Sequence, residues 1–477
     1  MSSLKFGTSG LRGLVTDLVG WPSYAYATAF FRALASEAVA VREVVIGRDL
    51  RDSSAGIATT VASAAAAAGL TAIDCGAVPT PALALEGMRR GACAVMVTGS
   101  HIPQDRNGLK FYRPEGEITK ADEAAILAIL GDVATVGSMG PDVAATPEPG
   151  ALDRYQRRYR DAFAAESLAG LRIAVYQQSS VARDILADLL AACGAEVVTL
   201  GRSETFVPID TEAHRPEDIA FIRDVAASAR FDALVTTDGD ADRPLVAESD
   251  GRILRGDVLG LITARYLSAD VVVVPVTAGS AIERAGGFER VLRTKVGSPF
   301  VLAGMDQARR DGAKAVVGFE ANGGFLLGSD VVVDGRALSA LPTRDAMLPI
   351  LATLAAARRM GVGLADLVAG LDVGETASDR LPDTPPAHSS RFLQRLADAE
   401  FRRAFCRPVG EADAVDMQDG TKIALGGGRT IHFRASGNAP ELRCYAEAGT
   451  VGEAEDLVRW GLAEASAAMK DGPVLRE

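Results

Sequence analysis

Val44-Val45-Ile46, a polar turn, an alanine-rich run, Gly69, Thr71-Ala72-Ile73 and Cys75-Gly76 follow one another near the start of the chain. Two short β-branched runs flanking a helical stretch predict a strand–helix–strand unit. Between them, Gly56 to Ile73 runs for 18 residues without a charge, which approaches the length of a membrane span. It is built mainly from Ala, Thr, Ser and Gly, which are weakly apolar. A helix packed closely on a sheet, started by Asp52 and Ser53, is the better reading. The same grammar returns in Ile173-Ala174-Val175, a helix over Ala182 to Cys193, Gly194, and Val197 to Gly201. A third round appears in Val271 to Pro275 and Ala315-Val316-Val317. The spacing is too long for a solenoid, so one α/β unit is repeated at domain scale.

Gly137 to Gly150 and Leu371 to Ser390, rich in Pro, Gly and Thr, read as linkers, and Asp250-Gly251 marks a third boundary or a hairpin turn. After Ser390 the style changes. A helix near Arg391 to Phe401 precedes strand-like runs at Thr421 to Leu425, Thr430 to Phe433 and Leu442 to Ala446, then a helix from Glu453 to Met469. The expected fold class is α/β, with three related mixed-sheet domains (1–150, 151–252, 253–370) and a C-terminal α+β domain (371–477).

The chain has 477 residues, enough for several domains, and a formal charge of −12. A globally acidic surface is a poor match for nucleic acid or an anionic membrane, so neither is an expected partner. An anionic ligand would need cations gathered in one cleft. Cys75, Cys93, Cys193, Cys406 and Cys444 have no metal-ligand spacing and fit buried thiols in a reducing compartment. Met1 to Gly7 holds no apolar signal core. A cytoplasmic protein is the expectation.

Four loops carry chemistry. Asp238-Gly239-Asp240-Ala241-Asp242-Arg243 places carboxylates on alternate residues. In a straight strand such side chains sit roughly 6–7 Å apart. Oxygens sharing one magnesium cannot be more than about 4.2 Å apart. The chain must therefore curl, with Gly239 the residue expected to permit it, or the run is only an acidic turn. It is no EF-hand: Arg243 stands at position six and Ser249 at position twelve. Val97-Thr98-Gly99-Ser100-His101-Ile102-Pro103 follows an apolar run, putting Ser100 at a strand end where open α/β sheets place ligands. Alone, a Ser-His step is ordinary turn chemistry, and the Gly-x-Ser-x-Gly elbow is missing. Lys110, ten residues on, could lie beside the same strand end. Gly318-Phe319-Glu320-Ala321-Asn322-Gly323-Gly324 could bind adjacent sugar hydroxyls, or be a turn with Asn in the left-handed conformation. Arg434-Ala435-Ser436-Gly437-Asn438-Ala439-Pro440-Glu441-Leu442-Arg443 brackets a hydroxyl, an amide and free backbone N–H groups with two guanidiniums, a cradle suited to a phosphate dianion.

In this order, together with Phe6-Gly7-Thr8-Ser9-Gly10-Leu11-Arg12-Gly13 and Gly47-Arg48-Asp49, these loops resemble the α-D-phosphohexomutases, in particular the phosphomannomutase/phosphoglucomutase group, over nearly the whole chain. The resemblance implies four domains arranged around a central cleft, the fourth smaller and mobile, each giving one loop to the cleft. It implies that Ser100 is the phosphoserine and a ligand, with Asp238, Asp240 and Asp242, of one Mg2+ ion. It further implies sugar contacts at Glu320 and Asn322, a distal phosphate site at Arg434, Ser436, Gly437, Asn438 and Arg443, and basic groups Arg12, Lys110, Arg243 and Lys295 near the transferring phosphate. The implied partners are small-molecule sugar phosphates, with hexose 1,6-bisphosphate as intermediate and activator. Lys110, set among cations, is the expected proton carrier, with His101 its rival.

The sequence departs from the family pattern at several points. Gly99 and Ile102 replace Ala and Asn of the usual Thr-Ala-Ser-His-Asn-Pro, and Ala241 stands where Gly is usual. Gly324 and Ser298 stand where His is frequent. The implied activity is a phosphohexomutase isomerase (EC 5.4.2.-), first of all a phosphomannomutase, with phosphoglucomutase or dual specificity as the alternative. A glucosamine phosphate substrate fits less well, since the loop lacks the Glu-Gln-Ser-Gly-His form. A phosphatase that hydrolyses the phosphoserine, or a sugar-phosphate-binding regulator on the same scaffold, are rival readings. The whole expectation requires four distant stretches to meet in one hollow, with an accessible Ser100 hydroxyl facing the aspartates.

Overall fold

A computed structural model describes residues 2–7, 10–37, 39–134, 138–228, 230–436 and 440–470. Each repeat read from the sequence becomes a sheet of three parallel strands closed by an antiparallel one. In the first, Cys93–Val97, Glu43–Arg48 and Thr71–Ala77 are parallel, and Arg106–Arg113 runs antiparallel beside Cys93–Val97. In the second, Glu196–Arg202, Arg172–Gln178 and Ala233–Thr237 are parallel and Pro244–Glu248 is antiparallel. The third repeats this with Arg290–Thr294, Val271–Pro275 and Val316–Phe319, then Phe325–Leu327 and Leu341–Asp345 antiparallel. In all three, the reversal of direction follows the third parallel strand. Ser100, Asp238 and Glu320 each lie in the loop where that reversal occurs. A strand end facing a reversal leaves an open crevice, which is why ligand loops collect there.

The alanine-rich run forms the helix Ser54–Ala67, with Ile57, Val61, Ala62, Ala64 and Ala65 buried. Small side chains let it lie close to the sheet, as its composition implied. Ser53 precedes it but makes no side-chain cap; its hydroxyl accepts from Asn107 instead. Among the described residues no helix is long and apolar enough to cross a membrane.

The last sheet is antiparallel throughout, in the order Glu375–Leu381, Leu442–Ala448, Arg429–Ala435, Thr421–Leu425, Ala412–Asp416. Helices Pro386–Ala397, Ala399–Cys406 and Val451–Lys470 belong to the same unit. Glu375–Leu381 corrects the sequence reading, which took Leu371 to Ser390 as a linker. Pairing along all seven residues of Leu442–Ala448 makes that segment an edge strand, and no local pattern of its own announces it. The first three sheets share one continuous apolar core, running from Val45 and Tyr112 through Val175 to Phe319. The C-terminal sheet has a separate core around Phe392, Phe433 and Leu462. It meets the rest through polar contacts: Arg252 with Glu375, Ser280 with Glu447, and Gln418 with the Arg293 carbonyl. Such a boundary resists relative motion far less than a shared core.

Candidate active site

The aspartate run curls as the chemistry requires. Asp238, Asp240 and Asp242 are buried, and one carboxylate oxygen from each lies within 4.8 Å of the others. Small side-chain rotations reach the limit of about 4.2 Å for a shared magnesium. The left-handed residue is Ala241, at φ 57°, not Gly239 as expected. Gly239 is needed for space instead: a Cβ there would meet the Phe206 ring at 2.8 Å and the Ser100 carbonyl at 3.0 Å. Asp240 Oδ1 and Asp242 Oδ1 are buried with no hydrogen-bond partner. Two carboxylate oxygens without a hydrogen bond, on three crowded aspartates, are the donor set of a hard cation, so the residues present fit a divalent metal. Burial, then the Asp240 and Asp242 charges, push Asp238 well above the usual carboxylate range. Asp242 is held well below it, because Arg344, Lys110 and Arg243 outweigh its burial.

Ser100 lies against this group, as the sequence reading demanded. Its Oγ donates to Asp238 Oδ2 at 2.6 Å, and its backbone takes φ 54°, costly for a residue with a Cβ. The expectation of an open hydroxyl fails, because Ser100 is 0% exposed. The left-handed turn aims Oγ inward at Asp238, while its neighbours His101 and Arg243 line the cleft. His101 Nδ1 accepts from Arg243 at 3.0 Å and sits 3.4 Å from Ser100 Oγ. Burial and the Arg243 and Arg12 charges push the His101 imidazole well below its usual pKa, so it is neutral near pH 7.

Arg51, which the sequence reading missed, holds this loop. Its guanidinium donates to the carbonyls of Ser100 at 2.9 Å, Ile102 at 2.6 Å, Pro103 at 2.6 Å and Arg106 at 3.0 Å. Asp49, of the Gly47-Arg48-Asp49 motif, accepts from Arg51 Nε at 3.1 Å and from Thr98 Oγ1 at 2.8 Å. A Cβ at residue 99 would lie 2.6 Å from the Arg51 guanidinium carbon, which accounts for Gly99 in place of the usual Ala.

Lys110 Nζ donates to Asp240 and Asp242 at 2.6 Å each. It was expected among cations; the structure clamps it between carboxylates, because the strand Arg106–Arg113 points it into the aspartate loop. Arg12 and Arg243 line the adjoining cleft of about 150 Å³ with His101, Glu320, Asn322, Arg344, Arg434, Ser436 and Arg443. Burial and the neighbouring Arg243 and Arg344 charges bring Arg12 down to about 10, still cationic near neutral pH. Lys295 is exposed and does not line that cleft, although Val296 does.

In the Glu320 loop, Gly323 rather than Asn322 takes the left-handed conformation, at φ 86°. Asn322 Oδ1 accepts from Gly324 N at 2.9 Å, and the Asn322 carbonyl accepts from Thr211 at 2.8 Å. Thr211 and Glu212 belong to a loop the sequence reading passed over; Glu212 also lines the cleft. A Cβ at Gly256 would sit 2.2 Å from Gly323 N and 2.4 Å from the Ala321 carbonyl. Gly256→Ala is therefore expected to displace this loop and cost about 1–3 kcal/mol, read from denaturant unfolding.

Ser298, at a frequent His position, is buried and donates to Glu117 at 2.6 Å, and Glu117 also accepts from Thr343 at 2.9 Å. On the last sheet, Arg434 Nε donates to Asp419 at 2.9 Å, and Asp419 also accepts from Val296 N at 2.9 Å. Arg443 pairs with Glu441 at 2.8 Å. Gly437 and Asn438 lie outside the described residues, as do Thr8 and Ser9 of the N-terminal motif. Four loops thus converge on one cationic cleft beside a serine and a three-carboxylate cluster. That arrangement can hold a phosphate at each end of a small polyol.

Known proteins share this plan. Residues 3–135, 153–251 and 255–372 match alpha/beta/alpha domains I, II and III of phosphoglucomutase/phosphomannomutase respectively. A phosphomannomutase of Sinorhizobium fredii is 47% identical over 98% of this chain and 99% of its own length. One from Salmonella muenchen is 41% identical, over 96% and 94%. A solved phosphoglucomutase/phosphomannomutase family protein from Burkholderia thailandensis superposes at TM-score 0.77 with 21% identity, covering 98% of both chains. Aspergillus fumigatus N-acetylphosphoglucosamine mutase, solved with GlcNAc-6P and magnesium, has the same fold at TM-score 0.58 and 14% identity, covering 94% of this chain and 97% of its own. This chain belongs to the phosphoglucomutase/phosphomannomutase family of phosphohexomutases.

Proposed function

We propose that the protein is a phosphomannomutase, an isomerase interconverting mannose 1-phosphate and mannose 6-phosphate through a phosphoserine at residue 100 and a hexose 1,6-bisphosphate. The single observation behind this reading is the 2.6 Å contact between Ser100 Oγ and Asp238, inside a cluster of three aspartates and beside a cationic cleft. Mannose is preferred because the two relatives above 40% identity carry that name. The four units are assigned as 1–150, 151–252, 253–370 and 371–477.

The sugar hydroxyl attacks phosphorus as the Ser100 Oγ–P bond breaks; the proton leaving the hydroxyl passes to a base and from it to Ser100 Oγ, restoring the serine hydroxyl. Lys110 is clamped between two carboxylates, whereas His101 lines the cleft and its Nδ1 can take that proton once Arg243 releases it. Asp238, Asp240 and Asp242, with Ser100, would hold the divalent ion, Mg2+ in this proposal. Bound there, the ion offsets negative charge on the transferring group. Arg12 and Arg243 add to that charge balance. The covered Ser100 meets the sugar once the Arg243 side chain moves off His101. Glu320 and Asn322 take the hydroxyls, and Arg434, Ser436 and Arg443, with Gly437 and Asn438, grip whichever phosphate is not reacting. That grip is independent of the carbon bearing the phosphate, so the bisphosphate binds in both orientations and returns its other phosphate to Ser100.

The test compares turnover of mannose, glucose and glucosamine 1-phosphates side by side, with bisphosphate supplied. Mannose phosphate should give the highest kcat/KM; a higher value for glucose phosphate would replace this reading with phosphoglucomutase, and release of inorganic phosphate with a phosphatase. In the same assay Arg443→Ala should raise KM on the order of tenfold or more while changing kcat less, since a lost charge-assisted fork weakens binding in both the ground and transition states.

A further inference from the structure

Gly324 is a glycine for a reason outside its own loop. Its backbone is not left-handed, so conformation does not call for glycine there. A Cβ would instead meet Arg344 Cδ at 2.6 Å and Cγ at 2.9 Å. The Arg344 stem fills the space that a larger residue at 324 would take. It cannot easily yield, because its head is fixed on two sides. Nε and one terminal nitrogen donate to Asp242 Oδ2 at 3.1 and 2.8 Å, and the other terminal nitrogen donates to Glu320 at 3.0 Å. Arg344 is 2% exposed, on the strand Leu341–Asp345, yet it borders the sugar cleft.

We propose that Arg344 is a positioning residue that ties the sugar loop to the aspartate cluster, occupying the room left by the missing side chain at position 324. One planar fork spans the two carboxylates, Glu320 on the sugar side and Asp242 on the cation side. A guanidinium can do this and an ammonium cannot, because only the fork offers parallel N–H groups at fixed spacing. Without it, Asp242 would press on Asp238 and Asp240 with one less offsetting charge, and Glu320 would lose its bond from Arg344. The carboxylate that reads the sugar and the one that holds the ion are thereby set in one geometry. Groups holding a ligand in place in this way matter nearly as much as the ligand itself. The kinetic part of this inference rests on the mutase reading; the steric and cation-binding parts do not.

The test uses full-length Arg344→Lys, Gly324→Ala, Arg344→Ala and the Gly324→Ala/Arg344→Ala pair. Arg344→Lys keeps the charge, and its thermal midpoint should stay close to that of the parent. Its Mn2+ dissociation constant, measured by calorimetry without sugar, should rise about tenfold or more, and its KM for hexose 1-phosphate about tenfold, with kcat less affected. Gly324→Ala should lower the thermal midpoint in the parent and much less in the Arg344→Ala background, because truncation removes the clash. Mn2+ affinity and KM both within about twofold of the parent in Arg344→Lys would overturn the assignment, as would equal losses from Gly324→Ala in both backgrounds. If Arg344→Ala does not fold, the lysine variant and the single Gly324→Ala still decide: no change in midpoint for the latter counts against the proposal. Weaker Mn2+ binding in an enzyme without mutase turnover would keep the Arg344 assignment and discard the mutase reading.

Discussion

Ser100→Ala is expected to lower conversion of hexose 1-phosphate to 6-phosphate by at least about 10⁴-fold, even with hexose 1,6-bisphosphate supplied. The reason is structural as well as chemical. The Ser100 hydroxyl touches the aspartate cluster directly, donating to Asp238 at 2.6 Å. Its position depends on a left-handed turn held by Arg51 through the Ser100, Ile102 and Pro103 carbonyls. Alanine keeps that turn and removes only the oxygen, so the fold and the binding of sugar phosphate should survive. Mass spectrometry provides the companion measurement: the parent should carry a phosphate on the peptide containing residue 100, and the variant should not. Retention of more than about one per cent of turnover by the alanine variant would sink the phosphoserine role, because no positioned substitute for a lost nucleophile restores that much.

Removing divalent cations is the second large perturbation. Chelation should reduce turnover on the order of 10³-fold, the equivalent of several kcal/mol of lost charge stabilisation in the transition state. Added magnesium should restore it in the parent. It should not do so in Asp240→Asn, which leaves the Lys110 ammonium with one carboxylate partner fewer. The same cation should raise the thermal midpoint of the parent, since a ligand that binds the folded state alone stabilises it by mass action. Full turnover in the presence of excess chelator would show that the three aspartates serve the fold and not the reaction.

Much of the plan could be read along the chain. The repeated alternation of β-branched runs with helices is a local pattern, and local patterns survive into structure because they set which face of each element is apolar. The loops at Ser100, Asp238, Glu320 and Arg434 were legible for a similar reason: each packs several polar groups into a few residues after an apolar strand. Other features had no local signature. Glu375–Leu381 is a strand only because Leu442–Ala448 offers it an edge. Ala241, not Gly239, is the left-handed residue of the aspartate loop, and Gly239 is instead required by the Phe206 ring and the Ser100 carbonyl beside it. Ser100 is covered, not open, because its left-handed turn aims Oγ at Asp238, a residue 138 positions away in the chain.

What the amino-acid order determined by itself was the layered architecture, the family, and the chemical types brought to the cleft. Tertiary structure alone decided which side chains hold those types in place. Arg51, Glu117, Thr211 and Arg344 carry no local sign of their roles, and each acts on a loop far from it in the chain. Hydrogen bonds and van der Waals exclusion reach only a few ångströms, so their consequences depend on which distant segments folding makes neighbours. Periodicity tells which way a side chain faces, but not which atoms it will meet.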